Sequence, residues 1–266
     1  MKKALSRKQK RTFWKTVTKS AGILLMFGGL VFRCPMSFFI FPGLNCYAFP
    51  WGCAACPMGV LQNFLIFRYI PFFPVASLSV IGLLAGRGWC GWFCPFGTFQ
   101  DALGWVKRRG SNPWIKYVVL VVALALAFTF KDPLFCKICP AGTLEGTLPN
   151  ILIGIATFNP ASILHIAIFI IIVAFSLWIS RFWCRFLCPV GAILGLFNRV
   201  TPLQINFSEN LCVHCDRCSD QCPQGLDVPV QVNGTDCIKC GQCTVCSALK
   251  FSYRITEKST TEKRRL

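Results

Sequence analysis

Long apolar runs alternate with short cysteine-bearing loops along the first 200 residues, and then the runs stop. Four of them, at residues 21–41, 71–86, 114–131 and 162–180, carry few charges and approach the roughly 17–25 apolar residues that a bilayer-crossing helix needs. The pattern predicts an α-helical membrane protein with four transmembrane helices. The run at 71–86 is the shortest, and the apolar segment 60–70 before it leaves room for a re-entrant or tilted piece. Residues 201–253 hold no spanning run but carry eight cysteines and five of the ten Asp and Glu residues, which predicts a small separate domain.

The loops are repeated. Arg87-Gly88-Trp89-Cys90-Gly91-Trp92-Phe93-Cys94-Pro95-Phe96-Gly97 returns as Arg181-Phe182-Trp183-Cys184-Arg185-Phe186-Leu187-Cys188-Pro189-Val190-Gly191. A second pair, Cys53-Ala54-Ala55-Cys56-Pro57-Met58-Gly59 and Cys136-Lys137-Ile138-Cys139-Pro140-Ala141-Gly142, continues to match through Leu61/Leu144, Gln62/Glu145 and Leu65/Leu148. Each half, about 21–110 and 111–200, reads span, CxxCPxG, short helix, span, RxWCxxxCPxG, helix. Two halves of equal orientation imply a duplicated two-helix unit about a pseudo-two-fold axis along the membrane normal. The proline after the second Cys of each motif fits the first helical position, where its missing N–H costs nothing. The thiolate then faces a positive helix N-terminus, which stabilises anionic sulfur and any cluster it holds.

Charge changes the picture little. The formal net charge is +18, but the basic residues gather at span ends and both termini instead of on an amphipathic face, which argues against nucleic acid. Residues 1–20 carry Lys2, Lys3, Arg7, Lys8, Lys10, Arg11, Lys15 and Lys19 and lack an A-x-A-like cleavage site, so they read as a retained basic cytoplasmic tail and signal anchor. Arg87, Lys107, Arg108 and Arg109 follow the second span, and Arg181, Arg185 and Arg199 follow the fourth. By the positive-inside rule both termini are cytoplasmic. Residues 254–266 form a short polar tail. Neither a P-loop nor a GxGxxG fingerprint occurs, so nucleotide hydrolysis and a Rossmann dinucleotide site are not indicated.

The 18 cysteines fall in CxxC, CxxxCP and CxxCxxC groups, which are metal spacings and not those of a secreted disulfide scaffold. A [4Fe–4S] site takes four Cys, and each motif of the helical region offers two. The two motifs of one half lie at opposite ends of a span, roughly 24–30 Å apart. Sharing between halves is therefore expected: Cys53, Cys56, Cys136 and Cys139 around one cluster, Cys90, Cys94, Cys184 and Cys188 around another. One cluster per half remains open if the CxxCP loops fold back. Beyond residue 200, Cys212-x2-Cys215-x2-Cys218-x3-Cys222-Pro223 is the run of bacterial two-cluster ferredoxins, and Cys237-x2-Cys240-x2-Cys243-x2-Cys246 is a shortened second copy. The crossing rule of that fold gives Cys212, Cys215 and Cys218 to Cys246, and Cys237, Cys240 and Cys243 to Cys222. The competing readings are a zinc site, packing thiols in the helical region, and disulfides within the CxxCP pairs. Cys34 and Cys46 stand alone and read as packing or spare thiols. Arg33 and His165 are candidate quinone contacts, against interfacial snorkelling for Arg33 and simple packing for His165.

These repeats and ferredoxin motifs, over roughly Cys46 to Cys246, resemble the NapH-like membrane polyferredoxins, with their NosR-like and CcoG-like relatives. The resemblance implies four [4Fe–4S] clusters, two in the duplicated core and two in a C-terminal bacterial-type ferredoxin-like domain. It implies a quinol-dehydrogenase-like electron-transfer subunit of a bacterial or archaeal inner membrane. Such a subunit passes electrons between quinol or a cytoplasmic carrier, such as a soluble ferredoxin, and a partner oxidoreductase, with or without carrying them across the membrane. The rival expectations are an assembly or regulatory factor of a respiratory metalloenzyme, and a membrane anchor with clusters only in the ferredoxin-like domain.

Overall fold

A computed structural model describes residues 14–21, 39–40, 54–104, 114–152, 154 and 160–253. Cys34, Cys46, Cys53 and Arg33, most of the first expected span and both tails apart from 14–21 lie outside the described residues.

The helical part begins with α1 (Pro57–Ile66) and α2 (Phe72–Ala85), followed by the short α3 (Gly88–Trp92) and α4 (Pro95–Leu103). The second half repeats the order with α5 (Trp114–Phe130), α6 (Leu134–Ile138), α7 (Pro140–Gly142), a π-helical turn at Thr143–Thr147 and α8 (Leu148–Leu152). It closes with α9 (Pro160–Trp178), a second π-helical turn at Trp183–Leu187 and α10 (Pro189–Phe197). A two-residue parallel pair, β1 (Phe39–Ile40) with β2 (Ala54–Ala55), precedes the first cysteine helix. α5 sits centrally, packed on α1, α10, α6 and the Trp183–Leu187 turn, while α9 covers α4, α7 and the Thr143–Thr147 turn.

The transmembrane expectation fails here. No helix among the described residues is long and apolar enough to cross a membrane. α2, with 14 residues, falls below the roughly 17–25 residues of a crossing helix, and α5 and α9, with 17 and 19, lie at the lower edge of that range; at 1.5 Å per residue the three rise about 21, 26 and 28 Å against a hydrocarbon thickness of about 30 Å. Their bounds nearly coincide with the apolar runs at 71–86, 114–131 and 162–180, so the runs themselves set these lengths. Lys131, next after α5, has φ 53°, and Gly86, next after α2, has φ 54° with ψ −138°; neither backbone continues a right-handed helix. These helices are apolar all round, with Phe72, Val121 and Ile170 outward and exposed, and that gives the hydropathy signal without the length. The expected multi-pass placement in a bacterial or archaeal cell membrane with cytoplasmic termini falls with the spans.

Beyond Phe197 the chain forms an antiparallel pair, β3 (Leu203–Phe207) with β4 (Leu249–Tyr253), in register from Leu203 opposite Tyr253 to Phe207 opposite Leu249. Between the strands run the two cysteine motifs with α11 (Arg217–Asp220) and α12 (Val228–Gln231). Ile205, Leu226, Val228 and Leu249 make its core together with Cys237 and Cys243.

Candidate metal centres

The four cysteines of the CPxG motifs are helix N-caps. Cys56, Cys94, Cys139 and Cys188 hold extended backbone immediately before α1, α4, α7 and α10, each with proline next. At α10 the Gly191 N–H donates to Cys188 Sγ at 3.3 Å. Each sulfur thus stands where the first amides of a helix point outward with partial positive charge.

Three sets of thiols gather across the described residues, and the last splits into two centres. Cys184 and Cys188 interact electrostatically with Cys90 and Cys94, so the CxxxCP motifs of the two halves meet. Cys139 interacts with Cys56 and Cys136 in the same way, joining the CxxCP motifs. In the terminal region Cys218 faces Cys246, whereas Cys222 and Cys243 face Cys237 and Cys240. The last four line one recess. Cys215 is exposed and Cys212 half-buried.

The two helical-region sets lie much closer than a span length. Cys56, Cys139, Cys94 and Cys188 belong to one apolar core with Phe96, Trp183 and Leu194. The Trp183 ring, next to Cys184, lies 5.9 Å from that of Phe135, next to Cys136. Along α5, Lys116 interacts with Cys188, and Ala123 O accepts from Gln62 Nε2 at 3.3 Å, whose Oε1 accepts from Cys136 Sγ at 3.0 Å. Seven helical residues separate those points, about 10 Å of rise.

The terminal motifs repeat a backbone conformation. His214 and Lys239, each just before the second Cys of its CxxC, have φ of 49° and 47°, and Asp216 and Gly241, just after it, have 54° and 71°. Left-handed residues at matched positions turn successive N–H groups inward, an arrangement that favours anions, and the Lys239 amide bonds to the Cys237 sulfur.

Two arginines of the repeat, read from sequence only as loop charges, hold the core. Arg87 donates from Nη2 to Cys184 O at 3.0 Å and from Nη1 to Asp236 Oδ1 and Thr235 O, both at 3.0 Å. Arg181 donates from Nη1 to Cys90 O at 3.3 Å and grips Asp101 with Nε and Nη2 at 2.6 and 2.7 Å. Each therefore reaches across to the first cysteine of the other copy. Their recurrence three residues before that cysteine was the available signal. Asn198 and Lys239 had none: Asn198 Nδ2 donates to Gly234 O and Cys237 O, and Lys239 Nζ to Asn198 O and Leu203 O.

The donor set fits iron–sulfur clusters. Arg87, Arg181, Arg185, Lys116 and Lys239 are each at most 1% exposed, and Asp101 and Asp236 are carboxylates that face them among the described residues. Buried cations in such excess call for further negative charge. Burial pulls Lys239 down to about 8, and burial with the Arg87 charge does the same to Lys116. The thiols show the reverse: burial, then neighbouring sulfurs, pushes Cys188 well up, and burial raises Cys184 to about 12 and Cys222 to about 11. Anionic clusters satisfy both groups at once. Gln224, 1% exposed on the four-thiol recess, has no partner among the described residues for either atom of its side-chain amide. Among the described residues no three His, Cys, Asp or Glu side chains converge tightly enough for a single metal ion, whereas a cubane spreads its four thiolates more widely. His165 is half-buried with Nδ1 3.5 Å from Thr147 Oγ1.

Two groups of four thiols, Cys90, Cys94, Cys184 and Cys188 and Cys222, Cys237, Cys240 and Cys243, set among buried cations, fit an iron–sulfur protein, and known sequences narrow the class. A family model described as a 4Fe-4S binding domain matches residues 67–115, 112–148 and 162–207. The ferredoxin-type protein NapH of Escherichia coli is 30% identical over 194 residues, 66% of this chain and 64% of that protein. The putative electron transport protein YccM of Escherichia coli is 27% identical over 205 residues, 68% and 55% of the two chains. An uncharacterized protein of Methanocaldococcus jannaschii is 26% identical over 224 residues, 77% and 89%. No solved structure matches. The chain belongs to the NapH-like polyferredoxin family and is an electron-transfer iron–sulfur protein.

Proposed function

We propose that the chain carries four [4Fe–4S] clusters and relays single electrons between quinol or a small soluble carrier and a partner oxidoreductase. The ligands are Cys53, Cys56, Cys136 and Cys139; Cys90, Cys94, Cys184 and Cys188; Cys212, Cys215, Cys218 and Cys246; and Cys222, Cys237, Cys240 and Cys243. The observation that carries this reading is the meeting of the CxxxCP motifs from opposite halves within a shell of buried Arg and Lys. The clusters supply reversible one-electron redox chemistry. The chain holds their thiolates at helix N-termini and left-handed turns, excludes water from the core sets, and balances their charge. Where quinone is the donor, His165 and Arg33 are its candidate contacts.

Iron and acid-labile sulfide in anaerobically purified full-length protein test this. Four cubanes give about 16 iron atoms per chain, and Cys94→Ser with Cys188→Ser, or Cys237→Ser with Cys243→Ser, each removes about four. An unchanged iron content in the first pair would leave the duplicated core without its cluster and sink the reading.

A further inference from the structure

The two RxWC copies differ where the terminal region meets them. Gly88 and Gly91 lie three apart on α3, on one helical face, and both look onto the second ferredoxin motif. A Cβ at Gly88 would stand 3.8 Å from Lys239 Cβ, an ordinary contact, but one at Gly91 would come within 2.4 Å of Ile238 O and 3.5 Å of Cys240 Cα. No side chain fits at Gly91 without moving that backbone away. Trp92, next along, donates from Nε1 to Lys239 O at 3.0 Å and fixes the approach. In the second copy the same two positions hold Phe182 and Arg185. Arg185 is 1% exposed, and its charge interacts with Cys222 and Asp236. One copy therefore touches the turn bearing Cys237 and Cys240, and the other sets a cation beside Cys222 of the same thiol group.

We propose that this break in the repeat is the electron crossing between the ferredoxin-like region and the duplicated core. Gly91 lets the group of Cys222, Cys237, Cys240 and Cys243 seat directly on the loop carrying Cys90 and Cys94. Arg185 is a positioning residue that raises the potential of the first group through Cys222. The inference rests on the assignment of clusters to both groups. One electron leaves the reduced centre on one side and enters the oxidised centre on the other; no bond forms or breaks and no proton moves.

The test uses the full-length chain, loaded anaerobically with iron and sulfide and reduced stepwise with dithionite, in wild-type, Gly91→Val, Arg185→Gln and Arg185→Lys forms. Iron per chain, magnetic interaction between reduced clusters and individual midpoint potentials are read together. Wild type should show an interacting pair. Gly91→Val should keep its iron and lose the interaction; if it loses iron, Gly91→Ala, which meets the same Ile238 oxygen, takes its place. Arg185→Gln should move one midpoint to more negative potential, and Arg185→Lys should restore most of the shift. A wild-type chain with iron in only one of the two groups would overturn the cluster assignment and this inference with it. Full iron with an unaltered interaction in the Gly91 variants, or no midpoint shift in Arg185→Gln, would overturn the inference alone.

Discussion

Arg87 and Arg181 occupy the same place in the two halves and make the same reach, each to the carbonyl of the other copy's first cysteine. Their remaining bonds differ. Arg181 holds Asp101, on α4 of the first half, with two nitrogens, so it closes the duplicated core on itself. Arg87 holds Asp236 and Thr235, just before Cys237, so it ties the terminal region to that core. Duplication supplied a reciprocal clamp around four thiols, and divergence of one partner turned half of that clamp into a dock.

The sharpest way to break this comparison is to remove the two carboxylates in turn. Asp236 is bound by Arg87 and Lys116 together, its side chain 8% exposed, whereas Asp101 is 21% exposed and shared by Arg181 and Lys19. Asp236→Asn leaves two buried cations short of charge and should cost about 3–5 kcal/mol. Asp101→Asn should cost less, about 1.5–3 kcal/mol, because water reaches that carboxylate. Thermal inactivation of the loaded protein ranks the two. Equal losses would mean that the docking side of the clamp carries no special burden.

Acid should separate the same pair. Burial alone would raise the Asp101 pKa, but the Arg181 guanidinium and the Lys19 ammonium hold it well below the usual carboxylate range. A depressed folded-state value means that the stabilisation is complete above the unfolded value of about 3.9 and is lost as pH falls through the range beneath it. The stability difference between wild type and Asp101→Asn should stay constant above about pH 5 and shrink below it. A difference that persists undiminished to about pH 3 would show that the charge of Asp101 is not what binds Arg181.

Asn198 is the next largest contributor on the docking side. Its amide donates to Gly234 O at 2.6 Å and Cys237 O at 2.8 Å, and its Oδ1 accepts from the Arg87 amide at 3.3 Å. Asn198→Ala strands those buried groups, an expected cost of about 1–3 kcal/mol, and should raise hydrogen exchange through residues 234–240 while leaving α4 unchanged. Equal acceleration in α4 would show that the two sides of the clamp are one cooperative unit.

Much of this architecture is legible in the chain because it rests on local rules. Proline after each second cysteine places four sulfurs at helix N-termini, and the duplicated spacing points to thiols shared between halves. Distance is not legible. Hydropathy counts apolar residues and locates the three helices, but not how closely they pack, and around α5 the CxxCP and CxxxCP sets approach within one core. Pairings such as Asn198 with Cys237, or Gly91 against Ile238, depend on how two units with no shared local pattern dock. The repeated arginines were visible, yet their chemistry shows only once the carbonyls they hold are in place.

The smallest predicted effect sharpens the comparison at the other thiol set. Gln62 is fully buried on α1 and bridges Ala123 O and Cys136 Sγ, while its counterpart in the second half is Glu145, also buried. Ala123 lies inside α5, where its carbonyl keeps its helical partner, so Gln62→Leu leaves no orphaned acceptor there and should cost about 1 kcal/mol. Iron content should not change, because on the proposed ligand set Cys136 is a thiolate with no proton to give Gln62 Oε1, so the bond made by the free thiol does not hold the ligand. A loss of about four iron atoms would mean instead that Gln62 orients Cys136. The first half would then contribute a positioning side chain to a group whose described thiols come mainly from the second.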